Sequence, residues 1–244
     1  MKFFKLFASV FRKKEQSDRS TLTHPYIAFH EVHREHGSLG MFEKNFLTKS
    51  SILLIMGKRG SGKTALGMKF LELAHQLSKR RCFVYGYEKT TFPSWVQKTQ
   101  QIESLPSGVV LLLDEGALSF SSRDSMKNAN KYLSKLMAIA RHKHLTLIVI
   151  TQNSAMIDLN VLRLADVLLF KEPSLLQAEF ERRPIKKLYD QASKHFAAVK
   201  HDPALQFQSL TSFCYVLSDE FTGMIRFTLP SFWSETISTS YKDF

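Results

Sequence analysis

Five short apolar runs punctuate the middle of the chain: "SSILLIMG", "RCFVYGY" (81–87), "GVVLLLDEGALSF" (108–120), "LTLIVITQNS" and "ADVLLFKEP" (165–173). Each is short and rich in β-branched or large aliphatic residues, which predicts buried strands. Between them, "KTALGMKFLELAHQL", "SSRDSMKNANKYLSKLMAIARHK" and residues 174–197 place apolar side chains at helical spacing. Ser122 or Asp124 supplies the N-cap of the second helix. "TFPSWVQKTQQIE" holds a proline and predicts a short helix. Apolar strands alternating with helices imply an α/β fold, a mostly parallel central sheet with helices on both faces. The C-terminal part changes character. "TSFCYVLSDEFTGMIRFTLP" predicts two strands around an acidic, Gly-containing turn, and "SFWSETISTSYKDF" a short helix. Residues 12–24 are a polar linker, and residues 25–50 give no clear element. The expected organisation is an N-terminal segment (1–48), a core (49–200), and a C-terminal strand pair with a helix packed on the core (201–244). No internal repeat or low-complexity tract is present.

The first apolar run stops at "GKRGSGKT", which fits the P-loop pattern G-x-x-x-x-G-K-[ST]. Glycines let the backbone turn so that several N–H groups face one concavity, and the following helix N-terminus adds its dipole. Gly57, Gly60, Ser61, Gly62, Lys63, Thr64 and Ala65 are therefore the candidate nucleotide-binding residues. Lys63 would reach the β- and γ-phosphates of ATP, and the Thr64 hydroxyl would ligate Mg²⁺.

"VVLLLDE" puts Asp114 and Glu115 at the carboxyl end of a strand, the edge where open α/β sheets bind ligands. Asp114 is the second candidate metal residue. Glu115 would orient and deprotonate an attacking water, a group that hydrolysis needs and a nucleotide-dependent kinase does not. On the next strand Gln152 follows Thr151. Its amide would sit near the γ-phosphate and report hydrolysis to moving parts.

The 244 residues suffice for one large domain with modest appendages. A net charge of +12, from 34 basic and 22 acidic residues, suits a polyanionic partner. Cys82 and Cys214 both lie in apolar runs, so buried free thiols in a reducing compartment are expected. The nine His residues show no metal-ligand spacing along the chain. No run reaches the roughly 18 apolar residues of a membrane span. "MKFFKLFASVFRKK" mixes Phe and Lys/Arg without an acid, the pattern of an interfacial helix on anionic lipid or a partner subunit. Lys5 interrupts its apolar core, which argues against a signal peptide.

The order GKRGSGKT, LLLDE, then a helix ending "ARHKHLTLIVITQNS" resembles the FtsK/HerA superfamily of DNA-pumping ATPases over residues 50–173. "LADVLLFK" and "LPSFWSETISTSY" are similar to small viral or mobile-element members. The resemblance implies a RecA-like additional-strand P-loop core assembled as a homo-oligomeric ring, taken as a hexamer. It implies ATP and Mg²⁺ as cofactors and double-stranded DNA, bound without sequence specificity, as partner. The small size departs from cellular FtsK and HerA and favours the compact genome-packaging type. A cytoplasmic place in the host cell follows, peripheral at a membrane or virion vertex through residues 1–14.

In such rings an arginine from a neighbour completes the site. Arg141, just before the strand carrying Gln152, is the candidate, with Arg123 and Arg163 as rivals. Lys127, Lys131 and Lys135 recur every fourth residue and form one stripe; Arg123, Lys127 and Lys131 are the candidate DNA contacts. "ERRPIKK" (181–187) is a second basic cluster. No helix-turn-helix, zinc finger or stacking platform is present. Competing readings are a zonula-occludens-toxin-like phage assembly or secretion ATPase, a conjugative coupling ATPase, a small-molecule kinase and a non-catalytic scaffold.

Overall fold

The computed structural model describes residues 26–87, 90–114, 126–151, 159–174, 183–234 and 236–237. The basic segment 1–14, the linker, the two candidate N-caps and most of the expected C-terminal helix lie outside them.

The expected strands form where the apolar runs lie: β2 (Ile52–Met56), β3 (Cys82–Tyr85), β5 (Val110–Asp114), β6 (Thr146–Thr151) and β7 (Val167–Phe170). Two more strands, β8 (Phe213–Ser218) and β9 (Phe221–Phe227), make the C-terminal hairpin. Three elements depart from the reading of the sequence. Residues 25–50 contain a strand, β1 (Phe29–Gly37), and a helix, α1 (Leu39–Thr48). The expected short helix within "TFPSWVQKTQQIE" is instead a strand, β4 (Val96–Thr99). It is parallel to β3 at the sheet edge, with Val96 buried and Gln97 and Lys98 exposed. An edge strand touches the core with few side chains, so its sequence stays polar.

The described residues build one nine-stranded sheet in the order β1-β9-β8-β7-β2-β6-β5-β3-β4. The strands from β7 to β4 run parallel, and β8, β9 and β1 extend the sheet antiparallel. The C-terminal pair is therefore part of the sheet. Side chains alternate between faces with the two-residue period of a strand. In β2, Leu53 and Ile55 enter one core, with α1 and the helix α2 (Lys63–Leu73). Ile52, Leu54 and Met56 enter the other, beneath α3 (Met126–His142), α4 (Leu159–Leu164) and α5 (Arg183–His201). In α5 the buried residues Ile185, Tyr189, Ala192, Phe196 and Val199 keep helical spacing.

Helix α2 lies close across β5 and β6. A Cβ at Gly67 would stand 2.7 Å from a Leu112 methyl and 3.1 Å from an Ile150 methyl. The far side of α2 carries a buried ion pair, Lys69 to Glu72 at 2.8 Å. Glu72 also accepts from the Tyr26 hydroxyl at 2.8 Å and the Ser231 amide at 2.7 Å. Segments from both ends of the described chain thus fix the P-loop helix. Cys82 and Cys214 are buried and free, as expected, and burial pushes both thiols up to about 12. No helix among the described residues is long and apolar enough to cross a membrane.

Candidate functional site

Because β2, β5, β6 and β7 are parallel, their carboxyl ends share one edge. Met56 pairs with Thr151 and Asp114 with Ile150, so β2, β6 and β5 end almost level. The P-loop leaves this edge from Met56 and enters α2 at Lys63.

Two glycines are required by what surrounds the loop. Gly57 has φ +149°, and a Cβ there would lie 2.7 Å from Lys171 Cβ. Gly62 has φ +87°, and a Cβ there would lie 2.8 Å from the Thr211 carbonyl oxygen. Both are conformations that only glycine adopts cheaply. The loop is therefore walled by Lys171, just after β7, and by a short 3-10 turn, Leu210–Ser212, before β8.

Lys63 is buried and donates from Nζ to the carbonyls of Gly57 (2.9 Å) and Lys58 (2.8 Å). Its ammonium therefore lies inside the curve of the loop. Ser61 is 2% exposed, and its hydroxyl finds no hydrogen-bond partner among the described residues. Thr64 and Ala65 sit in the first turn of α2, whose N–H groups have no intrahelical acceptor. Gly60 is exposed at the loop tip. A buried ammonium, an unsatisfied hydroxyl and a helix N-terminus together suit the oxygens of a polyphosphate.

Asp114 is the last residue of β5, 4% exposed, and accepts from the Tyr87 hydroxyl at 3.3 Å. Thr151 ends β6 and is buried. Thr64 and Asp114 are hard oxygen donors at this edge, the donor type Mg²⁺ takes. Glu115, Gln152 and Arg123 fall outside the described residues, as does the side chain of Lys127. Lys131 is exposed on α3, one turn before Lys135, which pairs with Glu103 at 3.8 Å.

Arg141 lies elsewhere. It occupies the last turn of α3, ahead of β6, and so belongs to the amino edge of the parallel strands. It donates from Nη2 to the Leu164 carbonyl at 2.8 Å and pairs with Asp166 at 3.4 Å. Arg163 is exposed on α4. Within one chain neither arginine joins the P-loop edge.

Two residues that the motifs did not single out line the site. Tyr87 reaches Asp114 from the segment after β3. Lys171 is fully buried beside Gly57, and its amide continues the β2 ladder to the Met56 carbonyl at 2.7 Å. Its Nζ donates to the carbonyls of Thr211 (2.7 Å) and Phe213, over the Phe227 ring. Burial, with the Lys63 charge nearby, pushes the Lys171 ammonium down to about 7. The next residue, Glu172, pairs with Lys58 of the P-loop and with Lys200 of α5 at 2.8 Å. Partial burial pushes its carboxyl up, but Lys200 and Lys58 outweigh that and hold it below its ordinary value. A lysine directly after a buried strand in "LLFKEP" was the one signal that could have marked this wall.

No protein-family model matches the sequence, and no curated protein matches it. Among solved structures the chain is similar to the pCW3 conjugation coupling protein TcpA with ATPγS, at 12% identity and TM-score 0.49. That match covers 80% of this chain and 65% of the coupling protein. It is also similar to the genome packaging NTPase B204 from Sulfolobus turreted icosahedral virus 2 with AMPPCP. There the identity is 15% and the TM-score 0.49, covering 74% of this chain and 98% of that one. A KaiC-like protein from Pyrococcus horikoshii matches at 11% identity and TM-score 0.42, over 58% and 80% of the two chains. The chain's own strand order gives the fold: a P-loop NTPase sheet with β6 inserted between the P-loop strand β2 and the acid-bearing strand β5.

Proposed function

We propose that this chain hydrolyses ATP and couples hydrolysis to movement of double-stranded DNA, as a subunit of a homo-oligomeric ring that packages a viral genome. The observation that carries the reading is the convergence of the P-loop, Asp114 and Thr151 at one sheet edge, with β6 between the two site strands. The resemblance of the motif order to FtsK/HerA ATPases supports the coupling to DNA.

In this reading Lys63 exchanges the Gly57 and Lys58 carbonyls for β- and γ-phosphate oxygens. Thr64 and Asp114 would hold Mg²⁺, which when bound neutralises charge on the phosphates. Tyr87 fixes the Asp114 carboxylate. Glu115 orients the attacking water, and Gln152 senses the γ-phosphate. Arg141, at the opposite edge, acts only on a neighbour's nucleotide. Lys127 and Lys131 belong to the helix that follows Asp114 in the chain and contact DNA phosphates, with Arg123 ahead of them in sequence. Residues 1–14 dock the ring on an anionic membrane or a capsid-vertex protein.

The test is steady-state ATP hydrolysis with and without non-specific double-stranded DNA, beside Lys63→Ala. Stimulation by DNA that fades with added salt supports the reading. Hydrolysis indifferent to DNA overturns the coupling and points to an assembly or secretion ATPase.

A further inference from the structure

A second constellation lies at the far side of the sheet, on β1 and α5. His33 and Glu35 are on the edge strand, and His195 is on the helix above it. One ligand atom from each lies within 4.8 Å of the other two. His195 Nε2 is 2.8 Å from Glu35 Oε1. The His33 and His195 rings stack with centroids 5.5 Å apart.

The backbone is shaped for this meeting. Strand β1 departs from regular pairing twice, between Glu31 and His33 and between Arg34 and His36. Such bulges re-aim side chains, here those of His33 and Glu35. Gly223 of β9 makes room for the displaced backbone, since a Cβ there would lie 2.2 Å from the His33 carbonyl oxygen. Outer partners hold the carboxylate: Glu35 Oε2 accepts from the Tyr215 hydroxyl (2.7 Å) and from Gln191 Nε2 (3.1 Å). Gln191 stands one helical turn before His195, so both reach the strand from one face of α5. The His195 ring also stacks on Tyr215 at 4.6 Å.

Two imidazoles and one carboxylate, with the carboxylate steered by outer hydrogen bonds, form the donor set of an open zinc site. The three ligand atoms, within 4.8 Å of one another, are close enough to converge on one ion with a modest adjustment of the exposed His33 side chain. We infer that His33, Glu35 and His195 bind one Zn²⁺-class divalent ion, leaving a fourth position to water. The ion ties β1 to α5 independently of the nucleotide site. Along the chain this was invisible, because His195 stands far from the pair on β1.

The experiment uses the full chain stripped with a chelator and titrated with Zn²⁺ against a chromophoric competitor, and with Co²⁺ for its visible absorption. One equivalent should bind and raise the thermal unfolding midpoint. His33→Ala and His195→Ala should each weaken binding at least tenfold and abolish the midpoint shift, while His142→Ala changes neither. His33→Ala removes an exposed ring and leaves the Glu35 hydrogen bonds in place, so a loss of binding cannot be charged to misfolding. Absence of saturable one-to-one binding overturns the inference, as does binding in His33→Ala and His195→Ala equal to that of the unaltered chain. ATP hydrolysis plays no part in either readout, so this site and the motor reading stand or fall separately.

Discussion

The Lys63 ammonium lies 2.9 Å from the carbonyl oxygen of Gly57, the residue that opens the same loop. The P-loop is thus closed by its own lysine. A triphosphate competes with two carbonyls for that ammonium and offers full negative charge in exchange. Lys63→Ala should cut ATP hydrolysis about 10²–10³-fold, the usual cost of one transition-state donor. Thermal unfolding should show the companion effect, with ATP raising the midpoint of the unaltered chain and not of the variant.

Tyr87→Phe keeps the buried ring and deletes the donor to Asp114. A hydrogen bond to a charged group contributes about 1.5–3 kcal/mol at good geometry, and this one, long at 3.3 Å, falls at or below the low end. The turnover number should fall about 2- to 10-fold, with a raised Mg²⁺ requirement measured by titrating Mg²⁺ at saturating ATP.

Gly62→Ala tests the wall of the loop. The new methyl meets the Thr211 carbonyl at 2.8 Å in a left-handed conformation. Urea unfolding should show a loss of about 1–3 kcal/mol.

Lys69→Met strands Glu72 in the core without its counter-charge, with both side chains 4% exposed or less. Breaking such a pair from one side costs about 3–5 kcal/mol. The same unfolding assay should register it as a larger loss than Gly62→Ala.

The pH dependence of stability should carry the mark of Lys171. Its folded pKa falls to about 7 from an ordinary 10.5. Between those values the unfolded chain binds more protons than the folded one, so stability rises with pH. Below pH 7 both states are protonated and this contribution is flat at its least favourable. Unfolding free energy measured from pH 7.5 to 8.5, below the range where the raised thiols of Cys82 and Cys214 oppose the trend, should climb in the unaltered chain and flatten in Lys171→Met.

The legible parts of this protein were those whose environment is uniform. Ile52–Met56, Val110–Asp114 and Thr146–Thr151 are buried on both faces, so they read as unbroken apolar runs. The P-loop read equally well because its glycines and lysine are demanded by local geometry. Strands β1 and β4 did not, since edge strands meet the core on few positions, and β1 spends His33 and Glu35 on contacts with α5. Tyr87, Lys171 and Thr211 join the site only through the sheet, and no spacing along the chain announces that. Arg141 shows the converse. Its place before β6 was legible, but the edge of the sheet it occupies depends on strand direction.

Among the described residues strand β1 pairs with β9 alone, so residues 29–37 wait for residues 221–227. Closing so long a loop is slow, because its entropy is lost before the contacts form. The partners of Glu72 on the P-loop helix, Tyr26 and Ser231, are equally far apart along the chain. During synthesis the parallel strands can pair in order as they emerge, but the P-loop helix gains its final supports only after the C-terminal segment has left the ribosome. A chain halted before residue 231 would carry every phosphate-binding motif and still lack the scaffold that holds them, which ties competence of the site to completion of translation through that residue.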